Sequence, residues 1–264
     1  MLDGSRPTFG GSIRRLSAAQ KSSKGAPPYS LFINRPVGRV FAATAYLIGL
    51  TPNQVTGLSA LCTFASIGAL ALLPPSWWLG IAVGIGLMIG YALDSADGQL
   101  ARLRGGGSPD GEWLDHMIDS VKVVAVHLVV LVAWYRFAEL PPALLLVPIG
   151  FALVSSVHFF GMILVDLMGR LARARQDPTS TDHPPAGSAG PTGSMVIRTL
   201  LKLPTDYGLL CLLFLFWGAV PVFATGYTLM ALATAGYLVL VAVKWRFEVR
   251  AMGRAESPGE GTSR

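Results

Sequence analysis

Apolar runs long enough to cross a hydrocarbon core, which takes about 20 residues at roughly 1.5 Å each, recur six times along the chain. They extend from Gln54 to Leu73, Trp77 to Ala101, Glu112 to Trp134, Pro142 to Met168, Leu203 to Val220 and Val222 to Val243. Only Pro74, Pro75 and Ser76 separate the first two, which predicts a tight hairpin, and the Trp77-Trp78 pair that follows suits a membrane interface. Ahead of them, Ser30 to Leu50 sets Arg35 and Arg39 among apolar residues, the pattern of an amphipathic helix lying on the membrane. The expected fold is therefore an all-α integral membrane protein: six transmembrane helices preceded by an amphipathic juxtamembrane helix. A membrane domain over residues 30–250 is expected between two disordered tails, 1–29 and 251–264. The stretch 176–194, rich in Pro, Gly, Ser and Thr, is expected to be a flexible cytoplasmic loop in which His183 is solvated.

Composition supports the membrane reading and narrows what the charge can mean. Hydrophobic residues make up 52% and charged residues 14% of the 264 residues, and the mean hydropathy is +0.52, too apolar for an ordinary soluble domain. The net charge of +6 does not indicate nucleic acid, because the basic residues fall between apolar blocks instead of forming a patch. Seven Lys and Arg precede the first span, two follow the second, five follow the fourth and five end the chain, all on one side in the six-span scheme. Only Arg136 and Lys122 lie elsewhere. The positive-inside rule then puts both termini in the cytoplasm of a cell-membrane protein, and the first 30 residues lack the apolar core of a secretory signal. Cys62 and Cys211 sit inside apolar runs and read as small hydrophobes.

The segment from Leu93 to Lys122, LDSADGQLARLRGGGSPDGEWLDHMIDSVK, puts four acids where acids are costly. One aspartate at the centre of a lipid-facing helix costs about 2.5–3.5 kcal/mol, so Asp94, Asp97, Asp115 and Asp119 require compensation. Asp94 and Asp97 are three apart, Asp115 and Asp119 four apart, and each pair shares a helix face. The Gly-rich turn from Gly105 to Gly111 makes the two helices antiparallel neighbours, so the four carboxylates can converge. A helix rises about 25 Å between Trp77 and Asp94, which puts the cluster near the cytoplasmic end of the span. Crowded hard oxygens suit Mg²⁺ or Mn²⁺, and two ions can share them. The plainer alternative is solvated charge at two helix ends, which the paired spacing and the Gly turn disfavour.

Asp94, Asp97, Gly98, Ala101, Arg102, Gly111, Asp115 and Asp119 together spell DxxDGxxAR, eight residues, then GxxxDxxxD. This resembles the signature of the CDP-alcohol phosphotransferase family at every fixed position, and TPNQVT (Thr51 to Thr56) resembles the segment that often opens the family's first span. The resemblance covers about Ser30 to Val243. It implies that Asp94, Asp97 and Asp115 bind the metal ions and that Asp119 is the general base, also touching a metal. It implies that Gly98 and Ala101 leave room for the cytidine nucleotide, that Arg102 holds the diphosphate, and that Asn53 and Thr56 line the nucleotide pocket. Further implications are a CDP-diacylglycerol or other CDP-alcohol donor, a polar alcohol acceptor, release of CMP in phospholipid biosynthesis, and a homodimer.

The acceptor is less legible. GEWLDHMIDS is reminiscent of the choline and ethanolamine phosphotransferases, whose acceptor is a lipid, although those enzymes usually carry more spans; transfer of a phosphatidyl group to a small polar acceptor is the expected activity. Lys122, Arg170, Arg173, Arg198 and Lys202 are candidates for holding a phosphorylated acceptor. Lys122 is equally a partner for the aspartates, and the others equally serve as anchors for anionic lipid heads. Asp166 and Asp206 read as salt-bridge residues, and His127 and His158 as hydrogen-bonded core residues. Membrane prenyltransferases and cation transporters also place acids in the membrane. The former usually carry two separated aspartate motifs, and the latter have no need of Gly98, Ala101 and Arg102 beside the acids.

Overall fold

The computed structural model describes residues 8–18, 27–176 and 202–255, and among them every element is helical. Helix α1 (Phe9–Ala18) falls in the stretch expected to be a disordered tail. Ten residues form a marginal helix alone, and packing stabilises this one. Leu16 is buried in a cluster with Ala42, Ala43, Val55, Ala96, Leu100 and Leu103, and Arg39 donates to Ser17 Oγ at 2.8 Å. The amphipathic segment begins as a π-helical turn, Ser30–Asn34, and continues as α2 (Arg35–Leu47). It buries Gly38, Ala42, Ala43 and Ala45 and leaves Ile33, Val37, Val40 and Leu47 as an exposed apolar stripe.

Helix α3 (Pro52–Leu72) starts at a capping box, in which Thr51 Oγ1 accepts the Gln54 N–H and Gln54 Oε1 accepts the Thr51 N–H. Helix α4 (Trp77–Leu103) is capped by Ser76 and α5 (Pro109–Phe137) by Ser108. After a 3₁₀ turn at Pro142–Leu145 comes α6 (Leu146–Gln176), and the last described helix, α8 (Val220–Ala255), runs past the boundary expected at residue 250. These five are long and apolar enough to cross a membrane. The loop expected over 176–194 lies outside the described residues from 177 onward.

The run from Leu203 to Val220, expected as a full span, folds as a 3₁₀ turn (Leu203–Thr205), the short helix α7 (Tyr207–Leu213) and a second 3₁₀ turn (Phe214–Phe216). Its apolar helical stretch is Tyr207–Phe216, about half of what a spanning helix needs. The segment nevertheless lies lengthwise on α4. The Tyr207 ring meets Tyr91 edge-on at 5.2 Å, and at the other end a Cβ on Gly218 would fall 2.5 Å from the Trp77 nitrogen.

Two faces of α4 bring these neighbours close, and close backbone approach matters because lipid supplies little hydrophobic drive for helix association. On one face, a Cβ on Gly90 would fall 2.5 Å from Thr63 Oγ1 of α3. On the other, a Cβ on Gly80 would fall 2.8 Å from the Phe214 carbonyl. Aromatic packing fills the remaining interior, with Trp134, Phe151, Phe214, Trp217, Phe223 and Tyr227 in one buried cluster. Within it His127 makes hydrogen-bond contacts with Tyr227 Oη at 2.7 Å and Ser155 Oγ at 3.0 Å, joining α5, α8 and α6. This is the core role expected for His127; His158 packs beside the rings of Tyr237 and Trp245.

Candidate active site

The α4–α5 reversal sets the geometry. Helix α4 ends in a Schellman motif, with the Gly106 N–H donating to Ala101 O at 3.0 Å and the Gly105 N–H to Arg102 O at 3.2 Å. Gly105 and Gly106 take φ of 102° and 137° there, values that a side chain disfavours. Ser108 then restarts the chain by accepting the Gly111 N–H, with Pro109 in the first turn of α5.

The two motif halves are thereby brought together. Asp94, Asp115 and Asp119 each offer an oxygen within 4.8 Å of the others. Asp97 is not in this group: Thr56 Oγ1 lies 2.6 Å from its Oδ2, and its Oδ1 accepts the Gly98 N–H. A three-residue step turns Asp97 some 60° around α4 from Asp94, toward α3, and buries it to 6% exposure. Three of the four acids expected to converge therefore do so, and Thr56 is the partner of the fourth.

Lys122 reaches the same acids from α5. Its Nζ is 3.0 Å from Asp119 Oδ1, 3.1 Å from Ser59 Oγ, and in contact with Asp94 Oδ1. Of the two readings open for Lys122, pairing with aspartates is the one the geometry displays. Ser59 escaped the sequence reading. The signal was present, because Thr56, Ser59, Thr63 and Ser66 form a small polar stripe along one face of α3. Tyr207 also escaped it. Its hydroxyl is buried without a hydrogen-bond partner among the described residues, and its ring packs edge-on against Tyr91 of α4. No spacing could have signalled this, since the position of Tyr207 depends on how the 203–218 segment folds.

The remaining candidates divide. A Cβ on Gly98 would meet only Arg102 Nη1, at 3.7 Å, so this face of α4 is open. Arg102 has a buried Nε without a hydrogen-bond partner among the described residues, a donor suited to an anion. Ala101 is half-buried one turn away from Asp97. Asn53 Nδ2 is 3.4 Å from Asp110 Oδ2, at the start of α5. Arg170, a candidate for the acceptor, is engaged by Glu112 at 2.8 Å and by Asp166 at 3.2 Å. Asp166 is thus the salt-bridge residue expected, whereas Asp206 caps a helix. Arg173 is exposed near the end of α6 and Lys202 is half-buried; Arg198 lies outside the described residues.

Residues 49–243 match the family model described as CDP-alcohol phosphatidyltransferase. Cholinephosphotransferase 1 of Xenopus laevis is 30% identical over 139 residues, which is 49% of this chain and 33% of that protein. The chain thus matches about a third of that relative's length. Among solved structures, Mycobacterium tuberculosis phosphatidylinositol phosphate synthase (PgsA1) with CDP-DAG bound is similar at 21% identity and a TM-score of 0.48, over 88% of this chain and 98% of that one. The same protein in complex with manganese and citrate gives 21% and 0.49, over 88% and 93%.

Proposed function

Since the chain belongs to the CDP-alcohol phosphatidyltransferase family, we propose that it moves a phosphatidyl group from CDP-diacylglycerol to the hydroxyl of a small polar acceptor and releases CMP. The broader activity follows from membership: it is a multi-pass membrane transferase of substituted phosphate groups. The observation that supports metal-assisted transfer is the convergence of Asp94, Asp115 and Asp119 across two antiparallel helices.

These residues fit divalent metal. Three carboxylate oxygens within 4.8 Å are hard donors of the kind Mg²⁺ and Mn²⁺ prefer. Asp94, Asp115 and Asp119 would hold such ions, two in the reading adopted here, with Asp97 recruited from Thr56. Bound there, the cations would neutralise charge on the donor's diphosphate.

The side chains divide the remaining work. Arg102 offers its unpartnered donor to the diphosphate, and the open face at Gly98 and Ala101 admits the nucleotide. Asp119 accepts the proton of the acceptor hydroxyl at a carboxylate oxygen. The hydroxyl oxygen bonds to the phosphorus nearer the transferred group as the bond to the bridging oxygen breaks, and CMP departs. The Lys and Arg asymmetry supports a site opening to the cytoplasm of a cell-membrane protein with both termini on that side.

A second reading, transfer of phosphocholine or phosphoethanolamine from a CDP-alcohol to a lipid acceptor, is favoured by the identity with cholinephosphotransferase. Purified protein given CDP-diacylglycerol with a panel of polar acceptors, and separately CDP-choline or CDP-ethanolamine with diacylglycerol, tests both by product mass. A lipid product from the second set alone would replace the first reading.

A further inference from the structure

Lys122 is the cation this structure places on the acidic cluster, and its surroundings say what it is for. From α5 it crosses to Asp94 on α4 and Ser59 on α3 while also holding Asp119, so its three N–H donors have three acceptors. The lysine side chain is 7% exposed, whereas those of Asp94 and Asp119 are 21% and 25% exposed. The ammonium is therefore the more deeply buried member of both pairs, and the two carboxylates keep exposed surface.

We propose that Lys122 is a resident counter-ion, which holds Asp94 and Asp119 in position before a divalent metal arrives and competes with that metal for them. The proposal rests on the reading that these acids bind metal. Two consequences follow with opposite signs. Removing the ammonium takes the cation away from Asp94 and Asp119 within the membrane, so the metal-free protein loses stability. It also removes a positive charge beside the entering cation, so the metal binds more tightly. A lysine with a merely structural role would produce the first effect without the second.

The test uses the full chain in detergent as wild type, Lys122→Met and Lys122→Arg. It reads Mn²⁺ binding from the electron paramagnetic resonance signal of the free ion, and thermal unfolding with and without Mn²⁺. Lys122→Met is expected to bind Mn²⁺ at least tenfold more tightly than wild type, to unfold at lower temperature without metal, and to recover most of the difference with saturating Mn²⁺. Lys122→Arg, which keeps the charge, is expected to stay within about threefold of wild type. If Lys122→Met folds only when prepared with Mn²⁺, its affinity is measured by chelator competition, where the same tenfold increase is expected. Unchanged or weaker Mn²⁺ binding by Lys122→Met overturns the proposal. Failure of the underlying reading has a different signature: wild type binds no Mn²⁺, or binds it as well when Asp115 is replaced by Asn.

Discussion

Asp206 accepts a hydrogen bond from the backbone N–H of Tyr29 at 2.8 Å, across 177 positions of chain. Its other oxygen accepts the N–H of Gly208 at 3.1 Å, so one buried carboxylate caps both the helical turn leading into α2 and the first turn of α7. The contact is tight, since a Cβ on Gly208 would lie 2.0 Å from Tyr29 Cδ1. Asp206 thus joins the amphipathic helix to the segment whose Tyr207 packs against Tyr91 of α4.

Asp206→Ala removes the acceptor from the half-buried Tyr29 N–H and the buried Gly208 N–H. Hydrogen bonds to charged groups contribute about 1.5–3 kcal/mol each, so a loss of about 3–6 kcal/mol in stability is expected, with Asp206→Asn retaining part of it. Thermal unfolding in detergent measures this, and a shift indistinguishable from wild type would show that the double cap is not needed.

Asp119→Asn keeps the shape of the side chain and removes its ability to accept a proton. Turnover is expected to fall by about 10²- to 10⁴-fold in a protein that still folds, read as CMP release from the donor. Full turnover would take Asp119 out of the proton transfer.

Chelation of divalent ions with EDTA is expected to abolish CMP release, and Mg²⁺ or Mn²⁺ to restore it. Ca²⁺, larger and with a higher coordination number, should restore it poorly. Activity unaffected by exhaustive chelation would remove metal from the cluster.

Gly98→Ala and Gly218→Ala separate a binding glycine from a packing glycine. At Gly98 the nearest atom to a new methyl group is Arg102 Nη1 at 3.7 Å, so folding is expected to be unaffected while donor KM rises roughly tenfold, about 1.4 kcal/mol. At Gly218 the methyl would press on the Trp77 backbone at 2.5 Å, and an overpacking loss of about 1–3 kcal/mol is expected. Donor titration and thermal unfolding of both variants read the two effects separately.

Where the signal is local, the sequence carried it. Hydropathy located five of the spanning helices because composition alone decides their burial in lipid, and the residues of the Gly turn are those its conformation requires. Three of the four acids meet because helical periodicity and a short antiparallel turn leave little freedom. What was illegible depended on contacts between distant segments. The folding of α1 depends on Leu16 finding a pocket among Ala42, Leu100 and Leu103. The interruption near Phe214 depends on where α4 lets the chain approach, and the diversion of Asp97 depends on a threonine 41 positions earlier.

The reversal between α4 and α5 also acts as a fixed-length coupler. Both of its ends are pinned, by the Schellman hydrogen bonds of Gly105 and Gly106 and by the Ser108 cap. A residue inserted inside α5 between the Ser108 cap and Asp115 would turn Asp115 and Asp119 by about 100° around the helix axis, out of phase with Asp94. The hydropathy of every span would be almost unchanged. Such a protein is expected to enter the bilayer normally and to be chemically mute, so the distance from this turn to the acids matters to the site even though insertion is indifferent to it.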